Sequence, residues 1–278
     1  MTKLAFATCV ELGFSCIKEI YKLNKNIDLA ITLNDQIASK KSGRVYLDDF
    51  CKQKKIKLLK VDHINEVKCL NAIKSLNIDW LFIIGWSQIA NDEVLKSPNF
   101  GALGIHPTLL PEGRGRASIP NAILKSLKTT GATLFKLSTE VDSGPILEQV
   151  KIPLTNKINA TELYQLIKEA HIQLIRNSLE NIISNHLIFK TQNENKATFW
   201  EGRKPEDGEI KSDKMDIYSA EKLIRATTKP YPGAFCYVNG QKIIIWESSI
   251  YSKEPPEGKL YLKFTDAYLM FDSYEIVS

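Results

Sequence analysis

His106 closes the short apolar run Gly101-Ala102-Leu103-Gly104-Ile105, and Asp142 follows 36 residues later in the turn Val141-Asp142-Ser143-Gly144-Pro145. Imidazole exchanges a proton near neutral pH, and a carboxylate beside it fixes which ring nitrogen carries that proton, so the two residue types suit acid–base work. A run of this composition reads as a buried strand, and open α/β sheets place their chemistry at strand ends, here two neighbouring ones. The competing reading is a satisfied core histidine and an ordinary turn aspartate. Between the two lies Glu112-Gly113-Arg114-Gly115-Arg116-Ala117, glycine-rich and basic, and Pro107 and Pro111 stiffen the chain beside His106. The guanidinium forks of Arg114 and Arg116 suit phosphate or carboxylate, so contact with an anionic substrate group is expected; the alternative is two loop arginines salt-bridged to the protein surface.

Other chemistries find little support. The histidines His63, His106, His171 and His186 show no metal-ligand spacing, and Cys9, Cys16, Cys51, Cys69 and Cys236 are odd in number, scattered and never spaced Cys-x-x-Cys. A zinc site and a disulfide framework are therefore not expected, and a reducing cytoplasm fits. No apolar run approaches membrane-spanning length. Residues 4–10 are too short an apolar stretch, broken by Glu11, for a signal peptide, and read as a strand of the mature protein.

The elements that must carry His106 and Asp142 can be read from periodicity. Over residues 1–150 strand-like and helix-like patterns alternate: strands at 4–8, 27–33, 56–61 and 80–84, helices at 14–23, 45–52 and 67–76. This predicts an α/β fold, a Rossmann-like, mostly parallel sheet. No Gly-x-Gly-x-x-Gly follows the first strand, so an ordinary dinucleotide site is not expected. Asn159 and Glu162 form a capping box ahead of Leu163, Ile167, Ala170, Leu174 and Ile182, a long amphipathic helix on which His171 needs no functional reading. The polar stretch 185–196 reads as a linker. Beyond it, Val238-Asn239-Gly240-Gln241 is a hairpin signal joining strands at 235–238 and 242–246. The expected division is 1–190 for the first domain and 197–278 for a smaller, mostly β C-terminal domain.

The ordered set His106-Pro107-Thr108-Leu109-Leu110-Pro111, Arg114-Gly115-Arg116-Ala117, Thr130-Gly131-Ala132-Thr133-Leu134 and Val141-Asp142-Ser143-Gly144-Pro145 resembles the signature of the formyltransferases that use 10-formyltetrahydrofolate. These include methionyl-tRNA formyltransferase, glycinamide ribonucleotide transformylase and the nucleotide-sugar N-formyltransferases. The C-terminal succession resembles that of methionyl-tRNA formyltransferase, and Pro232-Gly233-Ala234-Phe235-Cys236-Tyr237-Val238 with Gln241-Lys242 and Trp246-Glu247-Ser248 is still more similar to the formyltransferase part of the enzyme acting on UDP-linked 4-amino-4-deoxyarabinose. The resemblance implies that 10-formyltetrahydrofolate is the cosubstrate and that no metal is needed. It places Gly85, Trp86, Ser87 and Gln88 near the folate, with the turn Ser138, Thr139, Glu140 and Val141. Pro107, Thr108 and Leu109 fall with Arg114 and Arg116 on the substrate side. Trp86 is read equally well as a core residue.

Moving a formyl group to an amine requires a neutral amine, donors for the oxygen of the tetrahedral intermediate, and a proton for the leaving nitrogen. His106 can shuttle that proton or face the oxygen, and Asp142 can hold its tautomer and order a water. No covalent enzyme intermediate is needed. One departure stands out: methionyl-tRNA formyltransferase has Asn-x-His where this chain has Gly104-Ile105-His106, and glycine lacks the side-chain donor. Losing such a donor costs on the order of 3 kcal/mol. Asn121 is the first candidate substitute and Gln88 the second; for Asn121 the competing reading is a residue near the start of a helix opened by Pro120.

Residues 1–198 hold 26 Lys+Arg against 19 Asp+Glu, net +7, and residues 199–278 hold 11 against 13, net −2. A domain gripping a polyphosphate presents basic residues, so a small anionic amino sugar ranks above tRNA as substrate. A stripe formed by Lys40, Lys41, Arg44, Arg114 and Arg116 would favour tRNA. The reading is a cytoplasmic N-formyltransferase of an amino sugar, with nucleotide-linked sugars first; methionyl-tRNA formyltransferase, a formyltetrahydrofolate hydrolase and a non-catalytic folate-binding protein are the alternatives. The implied partners are the sugar and, in a homo-oligomer, further copies of the chain, and no membrane.

Overall fold

The computed structural model describes residues 2–38 and 43–277; Lys40 and Lys41 of the basic stripe lie outside them. In chain order the first elements are β1 (Leu4–Ala7), α1 (Glu11–Lys22), β2 (Leu29–Leu33), α2 (Asp35–Ala38), α3 (Asp48–Lys54), β3 (Lys57–Val61), α4 (Val67–Ser75), β4 (Trp80–Ile83), α5 (Asp92–Leu95) and β5 (Gly101–His106). There follow β6 (Arg114–Gly115), α6 (Ser118–Leu124), β7 (Thr129–Lys136), β8 (Ile146–Pro153), α7 (Ala160–Ile183) and β9 (Phe199–Trp200). The last are α8 (Ile217–Thr227), β10 (Ala234–Val238), β11 (Gln241–Tyr251), β12 (Tyr261–Lys263) and β13 (Tyr268–Val277). The helix read at 45–52 sits two to three residues later, because the first turn of α3 begins only at Asp48.

The residues cluster in two compact units. The first comprises 1–115, 130–152 and 166–199. Its sheet has the order β3-β2-β1-β4-β5-β7-β8, parallel from β3 to β5, with β7 antiparallel to β5. This is the mostly parallel sheet expected. The strands β1, β2 and β5 are buried along their whole length, as a sheet covered on both faces requires. Phe6 and Phe82 stack within it at 5.4 Å. Strand order reverses at β1, and here α1 approaches closely: a Cβ on Gly13 would stand 2.1 Å from Thr8 Oγ1 and 2.5 Å from Ile84 O. Only glycine lets helix and strand ends meet at that distance.

The second unit comprises 116–129, 153–165 and 200–278, a different division from 1–190 and 197–278. Its antiparallel sheet, β10-β11-β13-β12, joins α8 in a core of Ala220, Leu223, Ile224, Ile243, Ile245, Leu269 and Phe271. Helix α6 packs on α8, and Leu154 N donates to Lys128 O, which draws both inserted segments into this unit. Asn239 and Gly240 have φ of 50° and 80°, the left-handed pair of a tight hairpin turn. The capping box forms as read: Glu162 N donates to Asn159 Oδ1 at 2.9 Å and Asn159 N to Glu162 Oε2 at 3.0 Å.

Candidate functional site

His106 is the last residue of β5, opposite Thr133 of β7, and is 7 % exposed. Its Nε2 lies 2.8 Å from Gly113 O and its Nδ1 3.4 Å from Asp142 Oδ2. The sequence separates these residues by 36 positions, and the fold brings them together. Asp142 arrives from the turn between β7 and β8 rather than from a strand end. Gly113 O can only accept, so Nε2 carries a proton. Nδ1 then faces a carboxylate. A ring protonated at both nitrogens satisfies both acceptors, and a neutral ring needs a shared proton or a water at Asp142.

Local backbone chemistry fixes the carboxylate. Asp142 has φ of 53°, a left-handed conformation that aspartate tolerates better than most side chains. Gly115 N donates to Asp142 Oδ2 at 2.9 Å. Two residues on, a Cβ at Gly144 would stand 1.8 Å from Lys136 O, so the turn closes against β7 only with glycine there. Ser138 Oγ and Ser143 Oγ are 3.0 Å apart and each lies 3.1 Å from Glu140 O, tying the turn across its base.

The glycine-rich loop is fastened by residues that the sequence reading left in or beside the linker. Gly113 N donates to Thr198 Oγ1 at 2.8 Å and Arg114 N to Thr198 O at 2.9 Å. Arg114 is 2 % exposed; its Nε and Nη2 donate to Gln192 Oε1, and its Nη1 and Nη2 donate to Glu194 at 2.8 and 2.7 Å. The hydrogen bond from Arg114 holds the Glu194 carboxyl below its usual range. Arg114 is thus bound inward, and its guanidinium, expected to meet an anionic substrate group, has Gln192 and Glu194 as its partners. Arg116 belongs to the second unit, where its N donates to Trp200 O at 3.0 Å. Gln192, 5 % exposed, is a residue the sequence reading missed. Its surroundings are polar and without periodicity, so no local signal marks it.

The residues after His106 are held as firmly. Thr133 Oγ1 donates to Thr108 O at 2.7 Å and accepts from Leu110 N at 3.1 Å and Gln149 Nε2 at 2.8 Å. Pro107 leads into this segment, and Leu109 packs over Gly131, where a Cβ would be 2.5 Å from its Cδ2. Thr108 Oγ1 and Trp86 Nε1 are buried without a hydrogen-bond partner. The Trp86 ring packs with Cys9, Val10 and Leu33, so the core reading of this residue holds for the ring and leaves its N–H unanswered. Gly85, with φ of 66°, makes the bend after β4, and Ser87 is exposed. The turn Ser138, Thr139, Glu140 and Val141 is exposed.

Both candidates for the missing donor have partners of their own. Gln88 accepts from Ile64 N at 3.0 Å and donates to Asp62 O at 2.7 Å, so its amide fixes the loop after β3. Asn121 lies in α6 of the second unit and donates to Arg116 O and Glu201 O at 3.3 and 3.4 Å. At Gly104 itself a Cβ would meet Leu137 Cδ2 at 2.7 Å: leucine fills the space beside the glycine. His171 is buried, its Nδ1 donates to Ile167 O at 2.8 Å, and burial lowers its pKa to about 4, helped by the nearby His106. It is neutral and structural. Among the described residues no three His, Cys, Asp or Glu are grouped to hold a metal ion, and no helix is long and apolar enough to cross a membrane.

Over its full length the chain is similar in fold to WlaRD, a sugar 3N-formyl transferase solved with dTDP and 5-N-formyl-THF, with a TM-score of 0.71 and 17 % identity over 98 % of that chain. An N-formyltransferase from Helicobacter canadensis, solved with folinic acid and dTDP-3-aminofucose, gives 0.71 and 17 %, covering 98 % of this chain and 99 % of that one. Methionyl-tRNA formyltransferase from Clostridium thermocellum gives 0.65 and 18 % with full coverage of both chains. In sequence the chain is 31 % identical over 242 residues to the bifunctional polymyxin resistance protein ArnA of Wigglesworthia glossinidia brevipalpis, covering 86 % of this chain and 36 % of that protein. The chain thus spans about a third of that curated relative. Residues 203–265 match the formyl transferase C-terminal domain and residues 29–179, which carry both His106 and Asp142, match the formyl transferase domain, so the chain belongs to the formyl transferase family.

Proposed function

We propose that this formyl transferase moves a formyl group from 10-formyltetrahydrofolate to the amine of an amino sugar, nucleotide-linked sugars first. The observation that carries the reading is the His106–Asp142 pair, a buried imidazole at the end of β5 with one ring nitrogen 3.4 Å from the carboxylate of the turn between β7 and β8. The residues of the first unit fit a folate. The turn 138–141 is exposed, and Trp86 Nε1 is a buried donor in want of an acceptor. The cosubstrate supplies the formyl group when bound. His106 takes the proton released by the attacking amine, Asp142 balances the charge this places on the ring, and His106 returns the proton to the leaving nitrogen. The books close with one proton moved from amine to folate nitrogen and none kept by the protein.

The sugar is favoured by the solved relatives bound to dTDP or dTDP-3-aminofucose, and charge is the weaker support. Regrouping by structure gives the second unit 15 Lys+Arg and 14 Asp+Glu, net +1, where residues 199–278 alone give −2. The test is mass spectrometry on a panel of amino sugars and nucleotide-linked amino sugars: formylation adds about 28 daltons, whichever residues act. Tetrahydrofolate release that needs no amine would make the protein a hydrolase, and folate binding without release would make it a binding protein. Formylation of charged initiator tRNA with no amino sugar accepted would move the substrate to tRNA.

A further inference from the structure

Gln192 uses its whole amide while lying in a stretch that reads as linker. Oε1 accepts from Arg114 Nε at 3.2 Å and Nη2 at 2.8 Å; Nε2 donates to Asp142 O at 2.8 Å and Gly144 O at 2.7 Å. The amide orientation follows from its partners, because only oxygen can face a guanidinium and only NH2 can face two carbonyls. Arg114 is gripped on its other side by Glu194, and the residues flanking it deliver Gly113 O to His106 and Gly115 N to Asp142. Both segments that touch the acid–base pair are therefore anchored on one buried amide and one buried guanidinium. A buried network with every member satisfied is rigid, and loss of one member is felt by the rest.

We propose that Gln192, acting with Arg114, is a positioning residue that sets the Asp142 carboxylate against His106. It touches neither reacting group through its own side chain at the carboxylate; it holds the main chain of the turn from which Asp142 projects, and it holds the loop that binds both partners. The proposal rests on reading His106 and Asp142 as the acid–base pair.

The full-length protein carrying Gln192→Glu tests it. The substitution is nearly isosteric and strengthens the pairing with Arg114, but it turns a carboxylate oxygen toward Asp142 O and Gly144 O. The expected result is a fall in kcat of about 10- to 100-fold with KM for both substrates within about threefold, since displacement of a reacting group by a fraction of an ångström acts on the chemical step. The pH–rate profile should shift, and in an Asp142→Ala background Gln192→Glu should cost little more. Proton NMR of the four histidine rings gives a readout that needs no turnover: the His106 titration should move in Gln192→Glu while those of His63 and His186 stay. Gln192→Met, which removes the amide without adding a charge, should also move His106, separating loss of positioning from the through-space effect of the new carboxylate. If no amine is ever formylated, the proposed function fails while the ring titration still decides this point. A folded Gln192→Glu protein with an unmoved His106 titration overturns the proposal, and so does an equal loss of rate in the Asp142→Ala background.

Discussion

At the scale of residues, the acid–base reading has a direct consequence. His106→Ala and Asp142→Ala should each lower formyl transfer by at least about 100-fold, with folate affinity measured by fluorescence titration nearly unchanged. Near-normal turnover with an unaltered pH profile in Asp142→Ala would remove that residue from the mechanism. Gly104 makes a second test. An asparagine there meets Leu137 Cδ2 and Cγ, with Ile83 O 3.4 Å from the new Cβ. Gly104→Asn alone should cost about 1–3 kcal/mol by crowding, read as a lower midpoint in urea. Pairing it with Leu137→Ala should recover stability, and only the double variant can show whether an added donor raises kcat. Recovery absent in the double variant would mean that backbone, and not Leu137, sets the limit.

At the scale of elements, the turn between β7 and β8 and the buried face of α7 each carry a prediction. Gly144→Ala places a methyl group 1.8 Å from Lys136 O, a backbone atom that cannot step aside without moving β7. It should lose both stability and activity, whereas Gly240→Ala, whose Cβ meets nothing within 4 Å, should suffer only from its left-handed φ. Thermal unfolding of the two variants separates close approach from conformation. In α7, burial keeps His171 neutral with a pKa of about 4 against an ordinary 6.5. Between those values the unfolded chain binds a proton that the folded chain refuses, so the stability owed to neutral His171 is complete above pH 6.5 and is lost as pH falls toward 4. The slope is at most about 1.4 kcal/mol per pH unit from this group. Unfolding free energies from pH 7 to 4 should fall less steeply in His171→Leu than in the parent, and parallel curves would contradict the assignment.

At the scale of the whole molecule, ionic strength distinguishes the two substrate classes. A sugar nucleotide with one or two contacted phosphates should lose little affinity between about 50 and 200 mM salt, whereas a tRNA held by many phosphates should lose orders of magnitude. The regrouped net charge of +1 on the second unit makes this measurement more decisive than composition, since Arg116, Lys125, Lys128 and Lys157 are counted with that unit only once the fold is known. A steep salt dependence of KM for an amino sugar would mean that more of the basic surface is engaged than its phosphates require.

The sequence by itself determined what depends on short-range pattern. The continuous apolar runs of β1, β4 and β5, the Asn159–Glu162 box and the Asn239–Gly240 turn each state their structure in a few adjacent residues, because period, cap and left-handed turn are local properties. His106 and Asp142 were legible for a related reason, each sitting in its own recognisable turn or strand end. Only the tertiary structure decided the partners. Arg114 has the same type and neighbours whether it meets a substrate phosphate or Glu194, and its burial follows from segments about 80 residues away in the chain. Gln192 looks like linker, and Thr198 like the residue just past it, until the glycine loop and the turn at Asp142 meet them. The two compact units likewise include segments 116–129 and 153–165 in the second through packing that no linear reading contains. Pattern specifies elements, and which polar groups are neutralised inside and which remain for a ligand is settled by contacts between residues far apart in sequence.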